Sequence, residues 1–234
     1  MGTDRLPALF AAKARFDGLL GDGTSDRLMQ WAGRLLPDHL PAQMREYRRR
    51  FEHHLILKVS HDQIEATRTL LARLFPGAHF ECTAKEAAKA FLHRFVAAGA
   101  AVRYRAVHRR QVEDIVALDV ALPRNTREWT ERLPADLADR CIHTLYYGHF
   151  FCQVFHQDYI VAKGTDPLAF EHALWALLDE RGAQYPAEHN VGHLYIAKPQ
   201  LADFYREIDP RNQLNPGIGH TPKGRGWTGT GEQP

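Results

Sequence analysis

Tyr146-Tyr147-Gly148-His149-Phe150-Phe151-Cys152-Gln153-Val154-Phe155-His156-Gln157-Asp158 decides how the chain is read. It lies inside Cys141 to Val161, a span dominated by aromatic and β-branched residues that predicts one strand or two. The count matters for chemistry. In a single flat strand, a separation of seven sends His149 and His156 to opposite faces. A turn or bulge between them is needed to bring them together. On spacing alone, two histidines packed in an aromatic sheet is the better reading.

Strands and helices alternate outward from this stretch. Val112 to Leu122 alternates enough to be a strand, ended by Pro123. Thr126 to Arg140 is helical in part. Asp166 to Arg181 is an amphipathic helix with Asp166 as cap, Pro167 in the first position and Gly182 at its end. Pro199 to Ile208 predicts a short helix. Upstream, Gly18 to Ser25 is turn-rich and reads as a loop, and Asp26 to Leu36 has helical spacing. Leu55 to Val59 reads as a strand, and His61 to Phe75 as a helix stopped by Pro76-Gly77. A short strand is expected at Phe80 to Cys82. Thr83 with Glu86 three residues later predicts a capping box that opens a helix through Ala98. The tail from Lys223 is expected to be disordered. The class is α+β: an antiparallel sheet with helices on one face.

Composition narrows the function. With 30 Lys and Arg against 28 Asp and Glu, the net charge of +2 gives no reason to expect nucleic acid. Hydrophobic residues at 44% support a real core. Three cysteines without a CxxC argue against a disulfide framework or a thiolate zinc site, and fit a reducing compartment. The start of the chain lacks the pattern of a signal peptide. The most apolar run, Ala87 to Val102, is interrupted by His93 and Arg94 and does not span a membrane. Neither GxGxxG nor GxxxxGK[ST] is present.

Five motifs carry candidate chemistry. In Pro186-Ala187-Glu188-His189-Asn190-Val191-Gly192-His193 an acid, an imidazole and an amide stand side by side. Such a pair can take a proton, hold a metal or stabilise an imidazolium. An ordinary polar surface pair is an even alternative. His149 and His156 could ligate a divalent metal with Glu188 as third ligand. Arg94, in the apolar Phe91 to Phe95 turn, could meet a substrate carboxylate, although an exposed arginine is commoner. The basic run Arg45, Arg48, Arg49 and Arg50 could rest on an anionic bilayer, although a solvated helix face is the plainer reading. In Asp209 to Gly217, Asn215 could bond a neighbour or a cofactor edge.

Taken together, YPAEHNVGHLY, YYGHFFCQVFHQDYIV, KAFLHRFVAAGAAVRYRAVH, FEHHLILK and DPRNQLNPGIG resemble the C-terminal portion of the bacterial quinone-dependent D-lactate dehydrogenases. These are peripheral membrane flavoproteins of the vanillyl-alcohol-oxidase-like superfamily. The resemblance runs from the opening Gly-Thr-Asp-Arg to about Gly219. It implies an N-terminal FAD domain outside this sequence and a ferredoxin-like cap over flavin and substrate. Residues 1–60 then belong to a basic membrane-binding insertion, 51–200 to the cap and substrate domain, 201–222 to a segment returning to the FAD domain, and 223–234 to the tail. The chain would be a truncated frame, a fragment or one piece of a split enzyme, with a separate FAD-domain chain as partner in the last case.

The resemblance also implies roles. D-lactate is oxidised to pyruvate and electrons pass to quinone at the cytoplasmic face of the inner membrane. His189 is the base, beside Glu188. Arg94, His149, His156 and Asn190 bind substrate, Asn215 lies toward the cofactor, and His149, His156 and Glu188 are the ligands of any divalent metal. Related D-2-hydroxy-acid dehydrogenases have Gly-Asp-Gly-Asn where this chain has Phe151-Cys-Gln-Val154, Gly where it has Asn190, and Lys where it has Ala117. A metal-free site and a metal site both stay open. A non-catalytic membrane-docking module and a stand-alone metal-binding protein are the readings from other classes.

Overall fold

The computed structural model describes residues 6–21, 23–149, 154–187 and 195–229 of the chain. They fall into two compact units, residues 1–100 and 101–234.

The first unit is helical: α1 Leu6–Leu20, α2 Thr24–Gly33, α3 Ala42–Arg50, α4 Ile64–Leu74 and α5 Ala84–Ala98. The loop expected at Gly18 to Ser25 is shorter than its composition suggests. Helix α1 runs to Leu20 and α2 starts at Thr24, with Gly21 and Gly23 at φ of 96° and 76°. Buried Asp17 joins the two helices by accepting bonds from the Ser25 amide and hydroxyl, both at 2.7 Å. Helix α3 is anchored by Tyr47, and its Arg45 pairs with Asp38. The Tyr47 hydroxyl donates to the His79 carbonyl at 2.9 Å, and its ring meets Phe51 and Phe80 edge-on at 5.3 and 5.1 Å. Arg48, Arg49 and Arg50 are left exposed on the last turn.

Two expected strands are corrected here. Leu55 to Val59 is irregular, and Leu55, Ile56, Leu57 and Val59 are all exposed. Its side-chain pattern suits a strand, but among the described residues no ladder partner meets it. Phe80 to Cys82 is also irregular. It is fixed by side chains instead: the Tyr47 contact and the Arg68 guanidinium, which donates to Glu81 at 2.7 and 2.9 Å. The expected capping box is present. The Glu86 amide donates to Thr83 Oγ1 at 3.3 Å, and the Thr83 amide to Glu86 Oε2 at 2.9 Å.

The second unit holds α6 Ala100–Val107, β1 Val112–Ala121, α7 Ala135–Ala138, β2 Cys141–His149, β3 Val154–Ala162, α8 Pro167–Glu180 and α9 Pro199–Ile208. The strands form an antiparallel sheet in the order β1-β3-β2. Thus Cys141 to Val161 is two strands of a hairpin, and the class is α+β. Of Thr126 to Arg140 only the single turn α7 is helical.

The period of two sorts each strand into faces. One face carries Val116, Leu118 and Val120 from β1 and Tyr159 and Val161 from β3, packed on Phe170, Leu174 and Leu178 of α8. Asp166 caps α8 by accepting from the Leu168 and Ala169 amides at 2.9 and 3.2 Å, and Gly182 turns away at φ 66°. At one end of the opposite face, Ala101 of α6 packs with Val112 and Ile160. Helices therefore touch both faces, but α6 covers only part of its own.

Buried Glu171 of α8 accepts from the Tyr195 hydroxyl at 3.1 Å. Burial pushes its carboxyl above the ordinary range, against smaller opposing effects of the Tyr195 bond and His172. The folded protein then holds this proton more tightly than the unfolded chain. Stability falls as pH rises through the window from the unfolded value, about 4.3, up to the raised one. Glu171→Gln keeps an acceptor for Tyr195 without the charge. It is expected to be more stable than the parent at about pH 7, with the difference fading towards about pH 4. Urea melts at the two pH values check this, and a difference of equal size at both would refute it.

The segment after α9 is tied down rather than loose. Buried Asn212 donates from Nδ2 to the carbonyls of Pro222 and Gly224 at 2.6 and 3.1 Å. Trp227 Nε1 donates to the Asp209 carbonyl at 2.8 Å. Residues 223–229 of the expected disordered tail are thereby held in turns.

Candidate functional site

Three strands bring together residues that are distant in sequence. Ladder pairing sets Asp119 of β1 against His156 of β3, and His156 against Tyr147 of β2. All three lie on the sheet face opposite α8, because His156 alternates with the core residues Phe155, Gln157 and Tyr159. His156 Nδ1 is 2.5 Å from Asp119 Oδ1, and each side chain is 14% exposed. The Tyr147 ring stacks on the imidazole at 5.0 Å between centroids and 27° between planes. Its hydroxyl donates to Asp158 Oδ2 at 3.2 Å, two residues further along β3.

Burial pushes the Asp158 carboxyl up, while the Tyr147 hydroxyl and His156 pull the other way. Burial, then the Asp158 charge, raises the Tyr147 phenol far above its usual value. Tyr147 is therefore a hydrogen-bond donor at neutral pH and not an anion. An imidazole bonded at one nitrogen to a carboxylate has its ring orientation fixed. Such a group can orient a substrate, accept a proton or ligate a metal through the other nitrogen.

Ladder register resolves the separation of seven. His149 pairs with Val154, and β2 ends where β3 has yet to begin, so positions 149 and 156 fall on one sheet face as diagonal neighbours. The His149 side chain lies outside the described residues, as do Phe150 to Gln153 and all of Glu188, His189 and Asn190. The described chain leading to Glu188 is zipped onto the end of β1. Ala121 and Gln184 exchange two backbone bonds at 2.9 Å, and the Ala187 amide donates to the Asp119 carbonyl at 2.8 Å. A cleft of about 490 Å³ opens there, lined by Ala121, Val154, Tyr185, Ala187, Tyr195 and Phe204 among others.

Arg94 lies on α5 in the first unit, exposed, its guanidinium 4.8 and 4.6 Å from the Phe91 and Phe95 ring centroids. Asn215 is exposed in the loop after α9, where its carbonyl accepts from the Ile218 amide at 3.2 Å. Among the described residues, no group of three His, Cys, Asp or Glu side chains is placed to hold a metal ion. Two of the three residues named for that role, His149 and Glu188, have side chains outside the described set.

Asp119, Tyr147 and Asp158 do not stand out in the linear motifs. The available signal is a lone carboxylate, Asp119, in the apolar run Ile115 to Leu122. Its partner is 37 residues away and only ladder register reveals it.

The family described as "D-lactate dehydrogenase, membrane binding" matches residues 1–227. Proteins named quinone-dependent D-lactate dehydrogenase are similar throughout. The Escherichia coli (strain K12) protein is 52% identical over 97% of this chain and 41% of its own length. The Haemophilus influenzae protein is 50% identical over 97% of this chain and 42% of its own. The Corynebacterium glutamicum protein is 41% identical over 94% and 40%. The chain spans about two-fifths of the length of these relatives.

Proposed function

The chain belongs to the membrane-binding D-lactate dehydrogenase family, and from that premise we propose that it is the C-terminal part of a quinone-linked D-lactate dehydrogenase. In this reading it supplies the cap side of the substrate site and a surface that docks on the inner membrane from the cytoplasm. The match over residues 1–227 carries the proposal. The polar row Asp119, His156 and Tyr147 supports it, and so does the first unit, where exposed cations on α3 accompany exposed apolar side chains on α5 and at Leu55 to Val59. Among the described residues no helix is long and apolar enough to cross a membrane.

FAD, held mainly by the part of the protein outside this sequence, would accept a hydride from Cα of D-lactate and pass electrons on to quinone. The residues of this chain would manage position and protons. His189 takes the hydroxyl proton, a task suited to an imidazole because its ordinary pKa is near neutrality. Glu188 sits beside it and stabilises the imidazolium that forms. Arg94 pairs with the lactate carboxylate. His149, His156 and Asn190 orient the substrate, and Asn215 lies toward the flavin. Should a divalent metal be bound, His149, His156 and Glu188 would hold it and it would lower the pKa of the substrate hydroxyl.

Grafting tests this reading. The chain replaces the matching part of the Escherichia coli relative, and flavin reduction by D-lactate is followed by stopped flow. His189→Ala is expected to slow reduction by about 10²–10⁴-fold or more with FAD still bound. Near-normal reduction would sink the assignment. A docking module without catalysis is the second reading, motivated by the exposed cations on α3 together with the exposed apolar side chains of the first unit. Both readings expect sedimentation with anionic vesicles that weakens as salt rises. Only the catalytic one expects the active graft.

A further inference from the structure

The couple on the polar face has a more specific consequence for His156. We infer that Asp119 and Tyr147 are positioning residues for that imidazole, Asp119 setting its tautomer and Tyr147 the plane of its ring. The inference rests on the reading above, in which His156 faces substrate.

Asp119 Oδ1 lies 2.5 Å from Nδ1, a distance that requires a proton between the two atoms. A carboxylate accepts and does not donate, so Nδ1 carries the hydrogen, and in the neutral ring the lone pair is on Nε2. Free imidazole side chains in water favour the opposite form, with the hydrogen on Nε2. The couple therefore reverses an intrinsic preference. It does so from a rigid platform, because Asp119 and His156 are ladder partners on adjacent strands and the Ala187 amide bonds the Asp119 carbonyl. Tyr147 controls the remaining freedom, rotation of the ring about χ2. It is the ladder partner on the other side, it lies nearly parallel to the imidazole, and its own hydroxyl is fixed on Asp158. The Asp119 acceptor and the Tyr147 plane, from two different strands, both constrain the orientation of the ring.

The test reads the tautomer directly and needs neither lactate nor flavin. The whole chain is labelled with ¹⁵N in its histidines and studied by NMR at a pH where imidazoles are neutral. His156→Gln identifies the His156 signals by their loss. The expected form in the parent chain is Nδ1–H, and in Asp119→Ala the majority form becomes Nε2–H. An Nε2–H ring in the parent, or an unchanged tautomer in Asp119→Ala, overturns the role of Asp119. Where Asp119→Ala does not fold, the parent spectrum decides alone. For Tyr147, the stacked ring is expected to shift the carbon-bound protons of His156 upfield, and Tyr147→Leu to abolish that shift. An unchanged position overturns its role. Because no turnover is measured, the couple can stand while the D-lactate reading falls, and the reverse.

Discussion

Phe170→Ala is expected to cost the second unit about 3–5 kcal/mol of stability. Phe170 is fully buried on α8, in contact with the core side chains of β1 and β3 and 6.0 Å from the Tyr159 ring. Its removal leaves a ring-sized void between a helix and the sheet. Neither side can collapse easily, since α8 is fixed by the Asp166 cap at one end and the strands are fixed by their ladders. Against a typical domain stability of about 5–15 kcal/mol, such a loss removes a large fraction. Phe204→Ala is the control, because that side chain is half exposed and should change stability by about 0.5 kcal/mol or less. Urea unfolding followed by far-UV circular dichroism checks both. A loss of under about 1 kcal/mol for Phe170→Ala would show that α8 does not hold the sheet as described.

The second large effect concerns a buried polar network on the same face. The Glu131 side chain is 2% exposed and pairs with Arg181, which is 24% exposed. Gln157, fully buried, donates to Glu131 Oε1 at 3.2 Å and accepts from the Tyr159 hydroxyl at 2.8 Å. Arg181 also donates to the Glu128 carbonyl, fastening the irregular strap before α7 to the end of α8. Glu131→Ala strands an amide and a guanidinium together and is expected to cost about 2–3 kcal/mol. Full burial of both partners would cost more, but Arg181 reaches water. Replacing both, as Glu131→Leu with Arg181→Met, removes the stranded guanidinium but leaves the Gln157 amide without its acceptor, and should recover part of the loss. A double variant no more stable than Glu131→Ala would mean that the damage comes from the strap and not from unpaired charge.

The sequence was most informative where the deciding interaction is local. The Thr83–Glu86 box and the Asp166-Pro167 start and Gly182 end of α8 depend on residues within a few positions of one another. Leu55 to Val59 shows the opposite case. Its apolar pattern is that of a strand, but a strand exists only through a partner, and the pattern carries no information about one. The candidate site divides in the same way. His156 could be named from its motif, whereas Asp119 and Tyr147 depended on register across two ladders. A separation of seven between two histidines meant opposite faces in one strand and a shared face in two. Tyr47 likewise passes for an ordinary residue of a basic helix until its reach to His79 is seen.

His156 and Asp158 stand on β3, the middle strand of the β1-β3-β2 sheet. Its amides are shared with a neighbour on either side, so fraying at β1 or at β2 leaves one of its ladders intact. Local opening in proteins begins where few backbone bonds must break, and it reaches a doubly bonded strand last. The imidazole is thus carried by the strand that opens last, whereas Asp119 and Tyr147, which orient it, stand on the two edge strands, so opening at either edge releases one of its constraints first.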